Sequence, residues 1–247
     1  MNLLVLLLPF VTVDAFLRPI HHFYSGGDGS GEATTTSDSS STMRWNYVCE
    51  SGWHKFERTS SQYNGNTGIW CVKLIPSETA ISVNNGSALC EQEDAILTIF
   101  ESEEERSRIL AEAQSHIIDH LKRPSGAIAL AGKLIKECIT TNETVLDGLL
   151  KGPPCNDVTK VFTLPSSSGT NPEFLWKNWA EREPSHNLWT YDIEDCLQMF
   201  VKPSNNGTHG KINDFYCVFN AAPNQLENPD YMNFGALCGK QPDIESF

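Results

Sequence analysis

Four oxygen-bearing side chains in the last third of the chain stand out as a group: Glu183, Glu194, Asn213 and Asp214. Carboxylate and carboxamide oxygens are hard donors, and calcium takes about six to eight of them. Three carboxylates and one amide on two neighbouring loops suit that ion. Glu194 and Asp214 each lie close to a cysteine, Cys196 and Cys217. A bridge between those two would bring both carboxylates to one place. Without such a frame, acidic residues in a polar loop are simply solvated, so the set needs elements to aim it.

Those elements are written in outline along the 247 residues. Residues 2–13, NLLVLLLPFVTV, are apolar but shorter than the roughly 18 residues a membrane span needs. The run ends on small residues, which predicts a signal peptide over 1–15, cleaved after Ala15. The mature protein is then expected to be secreted, extracellular and not an integral membrane protein. Residues 16–43 hold a Gly/Ser/Thr-rich stretch and are expected to be a linker. The folded domain is expected over 44–247. An even count of eight cysteines in a secreted chain argues for disulfides, but spacing alone leaves every pairing open. Sequons at Asn85, Asn142 and Asn206 predict glycosylation and surface positions. The net charge of −13, with no basic patch, argues against nucleic-acid partners.

Within the domain, MRWNYVCESGWHKFER alternates aromatic and polar residues and reads as strands. Cys49 and Cys71 bracket this segment, and a hairpin clipped by a disulfide is the simple account. SALCEQEDA predicts a short helix from about Ser87, and AILTIF a buried strand. Ser102 to Glu105 is a capping box, followed by apolar residues at helical spacing for about five turns up to Pro124. GAIALAGKLI predicts a further strand. From Cys138 to about residue 213 Gly, Pro, Ser and Asn are frequent, which predicts a long irregular loop. FYCVF and FGALCGK then read as strands. The class is α+β, with a late strand bringing the two ends of the domain together.

Catalytic signatures are weak. No G-x-S-x-G elbow occurs, and cysteines consumed in disulfides leave no thiol nucleophile. His116 and His120 stand four apart, a spacing that binds zinc only where a third ligand joins them. Trp176, Trp179 and Trp189 are candidates for flat aromatic contacts. Trp179 suits the core better, and Trp189 suits a loop contact.

The order NW, EPS, EDC, IND, C, C resembles the second half of a C-type lectin-like domain. The family's motifs stand here as Glu183-Pro184-Ser185, Glu194-Asp195-Cys196 and Ile212-Asn213-Asp214. SALCEQEDAILTIFESEEERSRIL is similar to the family's first helix, strand and second helix. CESGWHKFER is similar to the amino-terminal hairpin of its long form, and an added Cys138 and Cys155 to its secreted nematode-type branch. The resemblance covers roughly residues 44–240. It implies two helices flanking small antiparallel sheets, a long irregular loop and four bridges: Cys49–Cys71, Cys90–Cys238, Cys138–Cys155 and Cys196–Cys217. It implies a cis Pro184 and a calcium ion held by Glu183, Ser185, Glu194, Asn213 and Asp214. A sugar on that ion would meet Glu183, Ser185, Glu194, Asn213 and Trp189, so the expected partners are glycans or glycoproteins. Three departures mark a divergent member, one being that IALAGKLI lacks the Trp of the family's W-I-G-L core stretch. Ser185 stands where an amide is expected, which removes the key to sugar class, and Ile212 stands where a Trp is expected. A domain that has lost sugar binding and recognises protein, lipid or mineral surfaces is the alternative. Gln241-Pro242-Asp243 copies a site motif but follows the last cysteine, outside the site loop.

Overall fold

The computed structural model describes residues 45–62, 68–165, 170–189, 192–218 and 231–246. The signal peptide and linker expected over 1–43 lie outside the described residues. Strand β1 (Trp45–Val48) is followed by β2 (His54–Glu57) and the long β3 (Ile69–Ile81). Ser82 caps α1 (Val83–Glu91), its hydroxyl accepting from the Asn85 amide at 3.1 Å. This start lies four residues before Ser87, where the sequence placed it, because the cap is Ser82. The short β4 (Ile96–Leu97) leads to α2 (Glu103–Gln114), capped by Ser102 as the sequence predicts. A π-helical turn (Ser115–His120) extends α2, and β5 (Gly126–Leu134) follows.

The stretch expected to be irregular is more ordered than its composition suggests. It holds α3 (Glu143–Leu149), β6 (Phe162–Thr163), α4 (Glu173–Trp176), β7 (Leu188–Trp189), β8 (Asp192–Ile193) and β9 (Cys196–Val201). All six residues of β9 are buried, so no polar alternation announces it. Then come β10 (Ile212–Phe215), β11 (Asn233–Lys240) and β12 (Asp243–Ser246). The resemblance implies two helices; four α-helices occur among the described residues, the added pair being short ones in this stretch.

One eight-stranded sheet runs in the order β10-β9-β5-β11-β3-β2, with β4 on β11 and β6 on β5. It is mixed and not wholly antiparallel, since β5 and β11 run parallel. Strands β1 and β12 form a separate ribbon that closes the two ends of the domain, as expected, with Trp45 opposite Ser246. Asp243 of the decoy QPD motif belongs to this ribbon, opposite Val48. Four disulfides join Cys49–Cys71, Cys90–Cys238, Cys138–Cys155 and Cys196–Cys217, the pairing the resemblance implies. Asn85, Asn142 and Asn206 are all exposed. No helix among the described residues is long and apolar enough to cross a membrane.

The two sheet faces have different jobs. Ile128, Leu130, Leu197, Met199 and Val201 point into the main core with Ile109, Ile117 and Phe100. Each large side chain so buried contributes roughly 1.5–3 kcal/mol. On the other face small residues let α1 approach. A methyl group on Gly86 would lie 3.0 Å from the Ala129 Cβ and 3.2 Å from the Ala236 Cβ. The Cys90–Cys238 bridge locks that contact. Gly132 marks a bulge in β5 and has φ +150°; a side chain there would strike Leu197.

A buried ion pair ties the sheet to α2. Arg58 donates from Nε and Nη2 to the two Glu105 carboxylate oxygens at 2.9 and 3.0 Å, and from Nη1 to the Thr170 hydroxyl at 3.1 Å. Glu101 accepts from the Asn171 amide, and Arg58, held by Glu105, reaches Thr170, so the group holds the chain just before α4. Removing one partner strands the other charge. Arg58→Ala is expected to cost about 3–5 kcal/mol of stability, read by denaturant unfolding. Arg58→Met combined with Glu105→Leu is expected to recover part of that loss, because Glu101 keeps a buried carboxylate 3.8 Å from where Arg58 stood. Equal destabilisation by the single and double variants would refute this account.

Candidate functional site

Strand β10 anchors the site loop through its backbone. Ile212 N–H donates to the Asn178 carbonyl at 2.9 Å, and the Ile212 carbonyl accepts from Ala180 at 2.8 Å. The side chain of Ile212 is fully buried, so this replacement of the expected Trp is a packing change that leaves the backbone anchor intact. Past Ala180 the chain turns through Arg182 at φ 70°, and the Glu183–Pro184 peptide is cis. The Glu183 N–H donates back to the Ala180 carbonyl at 3.1 Å.

Asp214 then organises the loop. Its Oδ1 accepts from the Ser185 amide at 3.0 Å and its Oδ2 from the His186 amide at 2.8 Å. Glu194 does the same one step further on. Its Oε2 accepts from the Ser185 hydroxyl at 2.9 Å and from the Asn187 amide at 3.0 Å. The Glu194 N–H returns a bond to the Asn187 carbonyl at 3.1 Å, and the β7–β8 ribbon spans the interval. Asn187 Nδ2 donates to the Ser185 hydroxyl oxygen at 2.9 Å. Below this, the Cys196–Cys217 bridge joins the two carboxylate-bearing segments. Asp195 reinforces it, accepting from Lys133 Nζ at 2.5 Å and from the Cys217 amide at 3.1 Å.

Electrostatics sets this loop apart from a solvated acidic turn. Glu194 and Asp214 are buried and Glu183 half-buried. Burial, and then the Asp214 charge, push the Glu183 carboxyl up to about 7. The same two causes, in the same order, push Glu194 up to about 8. The negative field reaches Tyr216, whose hydroxyl is raised by burial and then by Glu194, Asp192 and Asp214. Glu183 Oε2 is buried with no hydrogen-bond partner, an acceptor left over. Hard oxygens that repel one another and retain an unused acceptor fit a bound cation such as calcium.

The structure brings Glu183, Ser185, Glu194 and Asp214 into one hydrogen-bonded group. Asn213 meets it differently. The pleat places Asn213 on the face it shares with Gln198, whereas Asp214 faces with Leu197. Its Nδ2 donates to the Asp214 carbonyl at 2.6 Å, so it joins along the backbone. The side chain of Trp189 lies outside the described residues. Trp176 and Trp179 stack on each other with centroids 6.1 Å apart, and Trp179 also packs on Phe162. They form a wall behind the loop, as core more than as a sugar platform.

His186 is the residue that motif reading passes over. It is buried at φ 50°, its ring stacks on Phe162, and Nδ1 lies 3.2 Å from Asp214 Oδ2. A left-handed conformation is uncommon outside glycine, with histidine among the residues that adopt it more often. The only sequence signal was its place directly after Ser185.

The family described as C-type lectin domain-containing protein 141/158 matches residues 55–241. C-type lectin domain-containing protein 141 of Caenorhabditis elegans is 37% identical over 208 residues, covering 79% of this chain and 66% of that protein. The chain thus spans just under two thirds of that relative. C-type lectin domain-containing protein 158 of the same organism is 35% identical over 195 residues, covering 79% of this chain and 89% of that protein. Among solved structures, a calcium-independent type II antifreeze protein is similar at a TM-score of 0.43 and 14% identity, covering 80% of this chain and 98% of its own. The cow C-type carbohydrate-recognition domain of CD23, solved in the presence of an oligosaccharide, is similar at 0.43 and 14%, covering 79% and 98%. On the matched span and on these relatives, the chain belongs to the C-type lectin domain-containing protein 141/158 family.

Proposed function

We propose that this protein is a secreted, calcium-dependent carbohydrate-binding protein, a recognition module and not a catalyst, acting outside the cell in defence. The observation that carries the reading is the packing of Glu183, Glu194 and Asp214 around a shared serine, with two carboxyls displaced toward neutral pH. Glu183, Ser185, Glu194 and Asp214 would hold the ion, with Asn213 placed beside them through its bond to the Asp214 carbonyl. When bound, the ion would supply a Lewis-acidic seat for sugar hydroxyls. The chain's own part is to fix the carboxylates that accept from those hydroxyls, and Asp214 does so by clamping the loop backbone.

A second reading has its own support. The Ser185 hydroxyl donates to Glu194 and accepts from Asn187, so it is already engaged within the loop. A serine so used offers less to a sugar than an amide would. Calcium would then serve to order the loop, and the ligand would be a protein, lipid or mineral surface.

A glycan array probed with calcium and with a chelator separates the two. The first reading predicts glycan signals that a chelator abolishes and that Glu183→Gln weakens by about tenfold or more, as expected for loss of one charged ligand. Calcium binding with no calcium-dependent glycan signal would sink the sugar and leave the second reading.

Protons and the ion compete for the same oxygens, which gives a pH prediction with a definite sign. Glu183 and Glu194 titrate near 7 and 8 in the folded chain, against 4.5 for a free carboxyl. The folded state therefore holds these protons more tightly than the unfolded state. In chelator, the stability they confer is present at about pH 5 and is lost as pH rises to about 8. Melting temperature is expected to fall across that window without calcium and to hold steady with it. Glu194→Gln is expected to flatten the slope measured in chelator. A wild-type melting temperature that rises with pH in chelator would contradict the assignment.

A further inference from the structure

Helix α2 ends in an unusual way. At Ser115–His120 it widens into a π turn, and the Leu121 N–H donates to the His116 carbonyl five residues back at 2.9 Å. Single π turns are rare and frequently sit at functional sites. Positions four apart lie on one face of such a turn. His116 and His120 occupy those positions, with rings stacked and centroids 5.7 Å apart. The sequence offered this pair with no third ligand, and the fold supplies one. Glu78 on β3 faces them, its Oε1 3.3 Å from His120 Nε2. Next to it, the Ser77 carbonyl lies 3.0 Å from His116 Nε2. One ligand atom from each of Glu78, His116 and His120 lies within 4.8 Å of the other two.

We propose that Glu78, His116 and His120 form a second metal site, for a divalent transition ion such as zinc. Two imidazoles and one carboxylate are a common donor set for zinc, and imidazole nitrogen favours zinc, copper or nickel over calcium. Zinc bonds of about 2.0–2.1 Å put tetrahedral ligand atoms roughly 3.4 Å apart, so the donors must close by about an ångström. The long arms of Glu78 and His120 permit this, being 71% and 65% exposed. Water from the open side would complete the shell. The ion would pin β3 to the end of α2, on elements that carry none of the site-loop carboxylates. Its donors differ in kind from theirs, so the two sites are chemically independent.

The test is a calorimetric titration of zinc chloride into the calcium-saturated full-length protein, with melting curves alongside. One zinc per chain with micromolar affinity is expected, together with a rise in melting temperature. His120→Ala is expected to weaken binding at least about tenfold and abolish that rise, and Glu78→Gln to weaken it by less. Asp119→Asn, which removes a neighbouring exposed charge from the same turn, should leave zinc binding unchanged. Both His120 and Glu78 are exposed, so these variants should fold. Two results would overturn the site. One is no zinc uptake, which reduces Glu78 and His120 to a surface ion pair. The other is equal affinity in wild type and His120→Ala, which places the metal elsewhere.

Discussion

Asp214 is the constraint on which the site depends. Both of its carboxylate oxygens accept backbone amides of the loop, from Ser185 and His186. A buried carboxylate that takes two amide bonds is well compensated and stays where the strand puts it. Glu183 and Glu194 have no such freedom to ignore it. Each is pressed toward the same charge in a half-dry loop, and each responds by holding its proton to higher pH. The loop is thus poised between two compensations, protons or a cation. The leftover Glu183 oxygen is the visible mark of that tension.

Much of the scaffold reads as a device for delivering Asp214 and Glu194 to one place. Strand β10 pairs with β9 in unbroken register, so Asp214 lies opposite Leu197, three residues past Glu194. The Cys196–Cys217 bridge closes the other end of that pair, and Asp195 binds Lys133 of the neighbouring strand. The bulge at Gly132 shifts β5 so that Lys133 stands opposite Cys196. On the far side, Arg58 with Glu101 and Glu105 fixes the chain at Thr170 and Asn171, where it departs toward the loop. The loop is held by these three attachments, by Ile193 and Leu188 packed into the main core, and by Trp179 and Phe162 behind it.

The fold was legible in the sequence wherever the chain states its own boundaries. Ser102 and Glu105 announced α2, and motif order with the cysteines announced the family and the disulfide pairing. Legibility failed where burial is two-sided or elements are very short. Strand β9 carries no alternation because both its faces are covered, and α4 has only four residues. The start of α1 was missed because Ser82 caps it ahead of polar residues that resemble a loop. Glu183, Ser185, Glu194 and Asp214 were found by residue type and motif, and the structure gathers them. His186 was not found, since its role comes from a backbone amide and a buried ring, and neither has a letter code. Glu78 was missed for another reason. It is remote in sequence from His116 and His120, and only the path of β3 past α2 makes them neighbours.

Calorimetric titration of calcium near neutral pH, run in two buffers of different ionisation enthalpy, tests the central claim most directly. Metal binding to groups that hold protons releases them, and the buffer reports the release. This account predicts one calcium per chain, bound with net proton release that fades as pH is raised above about 8 and Glu183 and Glu194 ionise unaided. Absence of calcium binding, or binding whose heat is the same in both buffers near pH 7, would contradict it.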